Sequence, residues 1–254
     1  MMSNIEIATR ALRSLDLTDL TDTCTPSAIE SLCAKARDPR GPVAAVCVWP
    51  QFVRLSVDAL KGSAVRIATV VNFPAGGEDV ARVCDDVGEA LADGAQEIDL
   101  VLPYNAVRRG DLAVAAEMVE AVREKVDQGR LLKVILETGE LVEPALIERA
   151  SHLAIAAGAD FIKTSTGKTP VSATPEAAEI MLRAIKSSGR SVGLKPSGGI
   201  RTLSDARIYL ELADRIMGQG WATPGTFRIG ASSVYDALID TIEGRSGKTI
   251  AGAY

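Results

Sequence analysis

Residues 161–168 read Phe-Ile-Lys-Thr-Ser-Thr-Gly-Lys, which places Lys163 inside a short apolar run. The preceding residues 156–160, Ala-Ala-Gly-Ala-Asp, are typical of the end of a helix, so Lys163 is predicted to lie on a buried strand. Burial disfavours the charged ammonium form, and the neutral amine is a nucleophile toward carbonyl carbon. The segment therefore predicts a strand that carries a reactive lysine and then runs into a glycine-containing turn.

A second lysine occurs in the same setting. Residues 191–200 read Ser-Val-Gly-Leu-Lys-Pro-Ser-Gly-Gly-Ile, so that Lys195 ends an apolar run before a glycine-rich turn. Outward from these two segments, apolar β-branched runs alternate with stretches of helical periodicity. Strands are predicted at 15–20, 43–49, 65–73, 97–102, 131–137, 160–165, 192–195 and 227–231.

Each predicted strand is followed by a predicted helix. These helices cover 26–36, 52–60, 78–92, 111–126, 144–157, 175–188, 204–217 and 233–242. Eight strand-then-helix units in 254 residues predict an α/β fold, a (β/α)8 TIM barrel, as a single domain over 1–254. A helix at 4–15 is expected before the barrel, and a flexible tail at 245–254 after it.

Several other classes are disfavoured. A doubly wound open sheet is the alternative fold, but no Gly-x-Gly-x-x-Gly turn follows the first or second strand. A net charge of -5 gives no general attraction to nucleic acid or anionic membranes. The start Met-Met-Ser-Asn-Ile-Glu has no signal-peptide character, and the four cysteines show no Cys-x-x-Cys spacing. No apolar run approaches the roughly 18 residues of a membrane span. We expect a cytoplasmic protein with no nucleic-acid or membrane partner.

Charged residues occupy the predicted carboxyl ends of the strands, where barrels carry their functional sites. Alternation along a strand places Phe161, Lys163 and Ser165 on one face of the sixth predicted strand. By the same rule Glu97, Asp99 and Val101 share a face of the fourth strand, and Lys133, Ile135 and Glu137 share a face of the fifth. Isolated charges inside a barrel are costly, so these residues are expected to form a network. Ordinary buried ion pairs are the alternative interpretation. The strand-end residues collected in this way are Asp16, Cys47, Asp99, Lys133, Glu137, Lys163, Thr166 and Lys195.

Two lysines at one end of the barrel predict a lowered lysine pKa. Ammonium groups about 4 Å apart repel by about 4 kcal/mol at an effective dielectric near 20, or about three pK units. That repulsion would bring the pKa of Lys163 from about 10.4 to near 7. About half of the amine would then be neutral at pH 7.

Metal- and histidine-dependent chemistry is disfavoured. His152, the single histidine, lies within a predicted helix and is interpreted as structural. A metal aldolase needs several histidine ligands, and a catalytic triad needs a histidine at a strand end. We therefore predict no metal and no cofactor. Cys47 has no histidine partner, so packing is its expected role, although its strand position predicts that it lines the site.

Glycine-containing turns follow the last three predicted strands. They are Gly167-Lys168, Ser197-Gly198-Gly199 and Gly230-Ala231-Ser232-Ser233. Such turns expose backbone N–H groups, and the last one precedes the final helix. Because barrels commonly hold a phosphate at this position, the turns predict a phosphate site.

With these residues assembled, the chain closely resembles the deoxyribose-phosphate aldolases, a family of class I aldolases. The resemblance runs nearly from end to end. It rests on Asp16-Leu-Thr, Val46-Cys-Val-Trp-Pro, Arg66-Ile-Ala-Thr-Val-Val-Asn-Phe-Pro, Glu97-Ile-Asp-Leu-Val-Leu-Pro-Tyr-Asn, Leu132-Lys-Val-Ile-Leu-Glu-Thr-Gly-Glu, Phe161-Ile-Lys-Thr-Ser-Thr-Gly-Lys, Gly193-Leu-Lys-Pro-Ser-Gly-Gly-Ile, Arg228-Ile-Gly-Ala-Ser-Ser and the terminal Tyr254. Ser197 departs from the alanine expected in the best-known members.

The resemblance implies a reaction and residue roles. It implies reversible cleavage of 2-deoxy-D-ribose 5-phosphate to D-glyceraldehyde 3-phosphate and acetaldehyde, with Lys163 forming a Schiff base. It also implies that Lys195 lowers the pKa of Lys163, that Asp99 transfers protons, and that Tyr254 swings into the site to assist proton exchange. The substrate-binding residues expected on this basis and from the strand ends are Asp16, Thr18, Cys47, Lys133, Thr166, Gly167, Lys168, Gly198, Gly199, Ser232 and Ser233.

Two other functions remain open from the residues alone. One is a Schiff-base barrel of the transaldolase type, acting on a longer sugar phosphate. The other is a catalytically silent barrel that only binds a sugar phosphate, against which an intact set of Lys163, Lys195 and Asp99 argues. The expected partners are a small phosphorylated sugar and acetaldehyde. The sequence does not fix the oligomeric state, and a homodimer is one candidate.

Overall fold

The computed structural model describes residues 2–127 and 129–245. Its strands form one eight-stranded sheet in the order β7-β6-β5-β4-β3-β2-β1-β8, and every described pairing is parallel. The strands are β1 (Leu15–Asp19), β2 (Ala45–Val48), β3 (Arg66–Val71), β4 (Glu97–Val101), β5 (Leu131–Ile135), β6 (Phe161–Lys163), β7 (Gly193–Lys195) and β8 (Ile229–Ala231).

Hydrogen bonds between the last two strands close the sheet on itself. The Leu194 N–H donates to the Thr226 carbonyl at 2.9 Å, and the Arg228 N–H donates to the Leu194 carbonyl at 3.0 Å. The Gly230 N–H then reaches the Pro196 carbonyl at 2.9 Å. Because β8 also pairs with β1, the eight strands form a barrel. The predicted TIM-barrel fold is confirmed.

Helices connect the strands on the outside of the barrel. They are α1 (Asn4–Arg13), α2 (Pro26–Ala36), α3 (Val53–Ala59), α4 (Val80–Ala92), α5 (Tyr104–Arg108), α6 (Leu112–Lys125), α7 (Thr138–Leu141), α8 (Pro144–Ala156), α9 (Pro175–Ser188), α10 (Leu203–Met217) and α11 (Val234–Ile242). Within the described residues, none of these helices is long and apolar enough to cross a membrane.

Local sequence signals account for many helix ends. Ser3 and Glu6 form a reciprocal capping box at α1, and Thr25 and Thr174 accept N–H groups at the starts of α2 and α9. Proline occupies the first position of both of the latter helices, where its missing N–H costs nothing. Gly189 ends α9 with a left-handed φ of 65°. The cap-then-proline predictions are confirmed.

Several boundary predictions are wrong by about two residues at element ends, and three of them bear on the site. The helix predicted at 4–15 ends at Arg13, because Leu15 already pairs with Ile229 in the sheet. Strand β5 ends before Glu137, whose φ of 55° breaks the predicted alternation with Lys133. Strand β6 ends at Lys163, so Ser165 lies beyond it. The short helices α5 and α7 were not predicted, and the tail predicted at 245–254 lies outside the described residues except for Arg245.

The barrel interior has an apolar part and a charged part. Ala45 and Cys47 of β2 pack with Ala68 and Val70 of β3 in a small buried cluster inside the barrel. The inner faces of β4 to β7 also carry buried charged and aromatic residues, namely Glu97, Asp99, Lys133, Phe161, Lys163 and Lys195. The alternate faces of the strands supply residues such as Ile98 and Val134 to the larger core beneath the helices. Asp16 of β1 and Arg228, just before β8, add to these charges, so the buried charges come from all parts of the barrel except β2 and β3.

A small residue on β7 makes room for an aromatic ring on β6. Gly193 pairs with Phe161, and a Cβ atom on Gly193 would lie 2.2 Å from the Phe161 Cε1 atom. Both residues are buried, so neither can move into solvent. We predict that Gly193→Ala lowers the free energy of unfolding by about 1–3 kcal/mol through overpacking, as measured by urea denaturation.

Gly88 is the matched control for this substitution. It lies in the middle of α4 with an exposed surface, and an added Cβ would meet nothing within 4 Å. Gly88→Ala should raise the free energy of unfolding by about 0.5–1 kcal/mol, because alanine has the higher helix propensity. Equal effects of the two substitutions would contradict the packing argument.

Candidate active site

The Asp99 carboxylate on β4 contacts three lysine side chains. Its Oδ1 atom lies 2.7 Å from the Lys133 Nζ atom, and its Oδ2 atom lies 2.8 Å from Lys163 Nζ and 2.7 Å from Lys195 Nζ. These side chains come from four neighbouring strands, β4 to β7, in parallel register. Lys163 and Lys195 are paired at the same level of the sheet, so both ammonium groups reach one carboxylate oxygen.

Two further carboxylates and an arginine extend this cluster. Lys133 Nζ lies 2.6 Å from Glu97 Oε2, and Lys195 Nζ lies 2.6 Å from Asp16 Oδ2. Arg228 joins the two acids, because its Nη1 atom is 2.6 Å from Asp16 Oδ1 and its Nη2 atom is 2.9 Å from Glu97 Oε1. Four buried cations therefore face three carboxylates, and the partly exposed Arg66, whose Nε lies 3.5 Å from Glu97 Oε1, adds a fifth positive charge.

The carboxylates of this cluster are held ionised. Burial alone would raise the pKa of Asp99, but Lys133 and the other two lysines hold it well below its usual range. Asp16 and Glu97 are likewise buried, and their lysine and arginine neighbours lower the pKa of each. Paired carboxylates of this kind tolerate burial, whereas one left without its cation would be strongly destabilising.

The two lysines beside Asp99 differ in their pKa. Burial is the largest effect on Lys163, and together with the positive charge of Lys195 it lowers the pKa of Lys163 despite the attraction of Asp99. Lys195 is also buried, but Asp16 and Asp99 together raise its pKa. The environment thus favours the neutral amine more at Lys163 than at Lys195, whose charged form is stabilised by two carboxylates. Both burial and repulsion were expected from the sequence, with the estimate of the shift based on repulsion, and in the structure burial is the larger cause.

The turns after β6, β7 and β8 lie side by side. A Cβ on Gly198 would lie 3.2 Å from the Gly167 Cα atom, and the backbones at Ser197 and Gly230 form a parallel bridge. Gly167 and Gly198 have φ angles of 80° and 83°, so the turns use conformations that favour glycine. The exposed serine pair Ser232 and Ser233 immediately precedes α11. The structure thus brings together the three turns that the sequence singled out.

The comparison with known proteins matches this architecture. A model for the DeoC/LacD family of aldolases matches residues 11–232 of the chain. A deoxyribose-phosphate aldolase from Agrobacterium fabrum (strain C58) is 52% identical over 250 residues, which are 98% of this chain and 96% of that relative. The chain belongs to the DeoC/LacD aldolase family.

Solved structures of similar proteins have the same fold as this DeoC/LacD aldolase. A protein from Coccidioides immitis, provisionally named deoxyribose-phosphate aldolase, is 30% identical, with a TM-score of 0.82 and coverage of 92% of this chain and 86% of that one. A deoxyribose phosphate aldolase from Aeropyrum pernix, described as a unique tetramer, has a TM-score of 0.73 at 23% identity, covering 94% and 92% of the two chains. This second likeness concerns the fold alone.

Three of the predicted substrate-binding residues, Lys133, Cys47 and Thr18, lie on strands β5, β2 and β1. Lys133 pairs with Phe161 and therefore lies two residues below the level of Lys163 in the barrel. Its ammonium group contacts Glu97 and Asp99. Cys47 packs in the small interior cluster, and burial raises the pKa of its thiol. Thr18 follows Asp16 on β1 and donates its hydroxyl to the Asp16 carbonyl at 2.8 Å.

Lys168 does not point at the glycine turns in this structure. Its Nζ atom lies 3.1 Å from Asp22 Oδ1 and 5.9 Å from the centre of the Trp49 ring, on loops that follow β1 and β2. The backbone N–H of Lys168 donates instead to Thr166 Oγ1 at 3.0 Å. Tyr254, the remaining predicted site residue, lies outside the described part of the chain.

Arg228 belongs to the buried cluster, although it was not among the residues predicted for the site. Arg228 is only 4% exposed, and its guanidinium also lies 5.6 Å from the centre of the Phe161 ring. A basic residue at the head of an apolar strand was the available signal, but its acidic partners Asp16 and Glu97 are 212 and 131 residues away in the chain. Only the closed barrel brings them into contact.

Loss of Arg228 should destabilise the DeoC/LacD aldolase strongly. We predict that Arg228→Met lowers the free energy of unfolding by about 3–5 kcal/mol, because it leaves Asp16 and Glu97 buried with fewer cations. Arg183→Met is the control, since Arg183 pairs with Glu179 on the surface and should contribute no more than about 0.5 kcal/mol. Denaturant unfolding of both variants measures the difference, and losses of equal size would contradict the assignment.

Proposed function

We propose that this aldolase reversibly cleaves 2-deoxy-D-ribose 5-phosphate to D-glyceraldehyde 3-phosphate and acetaldehyde. The single observation that carries the proposal is a buried lysine, Lys163, whose pKa is lowered beside a carboxylate at the end of a barrel strand. Such an amine forms an imine with an aldehyde. Similarity to the Agrobacterium fabrum enzyme and the three adjacent glycine turns support the choice of substrate.

In this proposal Lys163 attacks C1 of the open-chain sugar. The carbinolamine then loses water to give a protonated imine. Removal of the proton from the C3 hydroxyl breaks the C2–C3 bond, and the bonding electrons move onto the imine as an enamine while glyceraldehyde 3-phosphate leaves. Protonation at C2 and hydrolysis of the resulting imine release acetaldehyde and restore the lysine. No redox step or external electron acceptor is involved.

Asp99 and Lys195 are assigned to proton transfer and to charge control. Asp99 Oδ2 contacts both Nζ atoms, so the carboxylate can accept and return protons through a water at the carbinolamine and at the C3 hydroxyl. Lys195 remains charged because Asp16 and Asp99 raise its pKa. Its positive charge adds to burial in keeping Lys163 neutral.

The phosphate is assigned to the turns after β6, β7 and β8. Backbone N–H groups at Gly167, Gly199 and the start of α11 are assigned as donors to the anion, with Ser232 and Ser233 beside them. The Gly198 N–H donates to the Gly230 carbonyl at 3.3 Å, so Gly198 is assigned to shaping the turn. The Lys168 ammonium group would leave Asp22 to join the phosphate. Asp16, Thr18, Cys47 and Thr166 are proposed to line the sugar side of the site, and Tyr254 to assist proton exchange at C2.

Assembly and compartment remain part of the proposal. We propose a homodimer that acts in the cytoplasm, the compartment expected from the sequence. Light scattering of the purified protein separates a 26.7 kDa monomer from a species of twice that mass. A monomer, or a tetramer of the kind described for the Aeropyrum pernix protein, would replace the dimer.

Borohydride trapping tests the function directly. With acetaldehyde present, wild-type protein should gain one ethyl group on Lys163, located by peptide mass spectrometry, because borohydride converts the imine to a stable secondary amine. Lys163→Ala should gain none and should lose detectable cleavage of deoxyribose 5-phosphate in a coupled assay for glyceraldehyde 3-phosphate. A silent binding barrel predicts no adduct in the wild type. A transaldolase-type enzyme predicts an adduct with a longer ketose phosphate and none with acetaldehyde.

Removing the neighbouring positive charge should change the pH dependence. Because the pKa of Lys163 is lowered in the fold, activity should rise with pH through that pKa and stay high above it. In Lys195→Met the pKa of Lys163 should rise, so the residual activity should be at least about a hundredfold lower near pH 7 and should shift to higher pH.

Lys186→Met on the surface of α9 is the control for the lysine-to-methionine change, and its pH profile should match that of the wild type. A Lys195→Met enzyme with an unshifted profile would mean that burial alone lowers the pKa of Lys163.

A further inference from the structure

Glu137 has an unusual backbone at the point where β5 meets the site. Its φ and ψ angles are 55° and 61°, a left-handed conformation that is uncommon outside glycine, asparagine and aspartate. Backbone bonds fix the residue on both sides: the Leu136 N–H donates to the Lys163 carbonyl at 2.9 Å, and the Thr138 N–H donates to the Thr164 carbonyl at 2.9 Å. The chain is thus locked against the end of β6, and the Glu137 side chain is fully buried.

The Glu137 carboxylate binds the loop that follows β6. Its Oε2 atom accepts the Thr166 N–H at 3.2 Å and also the Thr166 hydroxyl, and its Oε1 atom accepts the Thr169 hydroxyl at 3.3 Å. Thr166 Oγ1 in turn accepts the backbone N–H of Lys168 at 3.0 Å. One carboxylate therefore orders residues 166–169, the segment that includes Gly167.

The charge of Glu137 is balanced differently from that of the acids in the lysine cluster. Across residues 2–127 and 129–245, no lysine, arginine or histidine forms an ion pair with it, and its hydrogen-bond partners are the neutral donors of Thr166 and Thr169. Burial accordingly raises the pKa of Glu137, whereas the pKa of Asp99 is lowered. A buried carboxylate held only by neutral donors is costly, which indicates that its hydrogen bonds have a task other than stability.

The same loop is also held from the side of β7. Thr164 Oγ1 accepts the Ser197 N–H at 3.0 Å, and the turn after β7 continues to Gly198, which lies against Gly167. Glu137 on one side and Ser197 on the other therefore set how close the turns after β6 and β7 approach. These two turns are part of the proposed phosphate site.

We propose that Glu137 is a positioning residue for phosphate recognition: its carboxylate holds the backbone of Thr166, Gly167 and Lys168 in the orientation that receives the phosphate of the substrate. This inference rests on the proposed function, because it concerns the same site. Glu137 touches neither the reacting carbons nor Lys163 in this assignment, so the chemistry at C1 should proceed without it. It is thus a determinant of preference for phosphorylated over unphosphorylated aldehyde sugars.

The test compares two substrates in two variants of Glu137. Glu137→Leu removes all acceptors, and KM for 2-deoxyribose 5-phosphate should rise by about ten- to a hundredfold. KM for 2-deoxyribose and borohydride trapping of acetaldehyde on Lys163 should stay within about threefold of wild type. Glu137→Gln keeps one oxygen for Thr166 and places an amide donor toward Thr169, so it should restore KM for the phosphorylated sugar to within about threefold.

Glu140→Leu, on the short helix α7 that begins directly after Glu137, is the matched control. Glu140 is partly exposed and its contact is Arg108 at 3.5 Å, so this variant should leave both KM values unchanged. If Glu137→Leu does not fold by circular dichroism, Thr169→Val removes a single donor to the carboxylate, and it should raise KM about threefold for the phosphorylated sugar alone.

The outcomes separate this inference from the proposed function. Equal rises of KM for both sugars, or an unchanged KM for the phosphorylated sugar, would overturn the role of Glu137 while wild-type cleavage and trapping still support the aldolase. Failure of Glu137→Gln to restore phosphate preference would also count against hydrogen bonding as the cause. Absence of cleavage and trapping in wild type would instead overturn the proposed function.

Discussion

One carboxylate shared by three lysines is the interaction around which the barrel interior is arranged. Asp99 reaches Lys133, Lys163 and Lys195 with distances of 2.7–2.8 Å, and each of these lysines comes from a different strand. Buried cations so close together repel one another and are stable only with acids between them. Asp16 and Glu97 supply the additional negative charge, and Arg228 bridges those two acids. Strands β2 and β3 contribute the uncharged residues Ala45, Cys47, Ala68 and Val70 to the interior.

The different chemistry of Lys163 and Lys195 follows from their second partners. Both lysines are buried and both contact Asp99, yet only Lys195 also contacts Asp16, at 2.6 Å. That additional carboxylate raises the pKa of Lys195, while burial and the charge of Lys195 lower the pKa of Lys163. The ion pair between Lys195 and Asp16 of β1 therefore separates the pKa values of two otherwise similar lysines.

Regular elements were predictable and their ends were not. Alternation correctly placed Asp99 and Glu97 on the inner face of β4, because a strand has a fixed period of two. The same rule failed at Glu137, where a left-handed residue ends β5 and turns the side chain toward the loop after β6. Capping signals found the starts of α2 and α9, but the single-turn helix α7 has no such signal. Loop geometry depends on contacts with neighbouring loops that local sequence does not encode.

By itself the sequence determined the order of strands and helices, the barrel, and the presence of lysines at the ends of β6 and β7, because periodicity and turn residues act within a few positions of the chain. The tertiary structure alone decided which charges meet. Asp16 and Arg228 are 212 residues apart, and Asp99 and Lys195 are 96 apart, so their pairing depends on closure of the barrel and on strand register. Electrostatic energy falls with distance in space rather than along the chain, and only folding sets that distance.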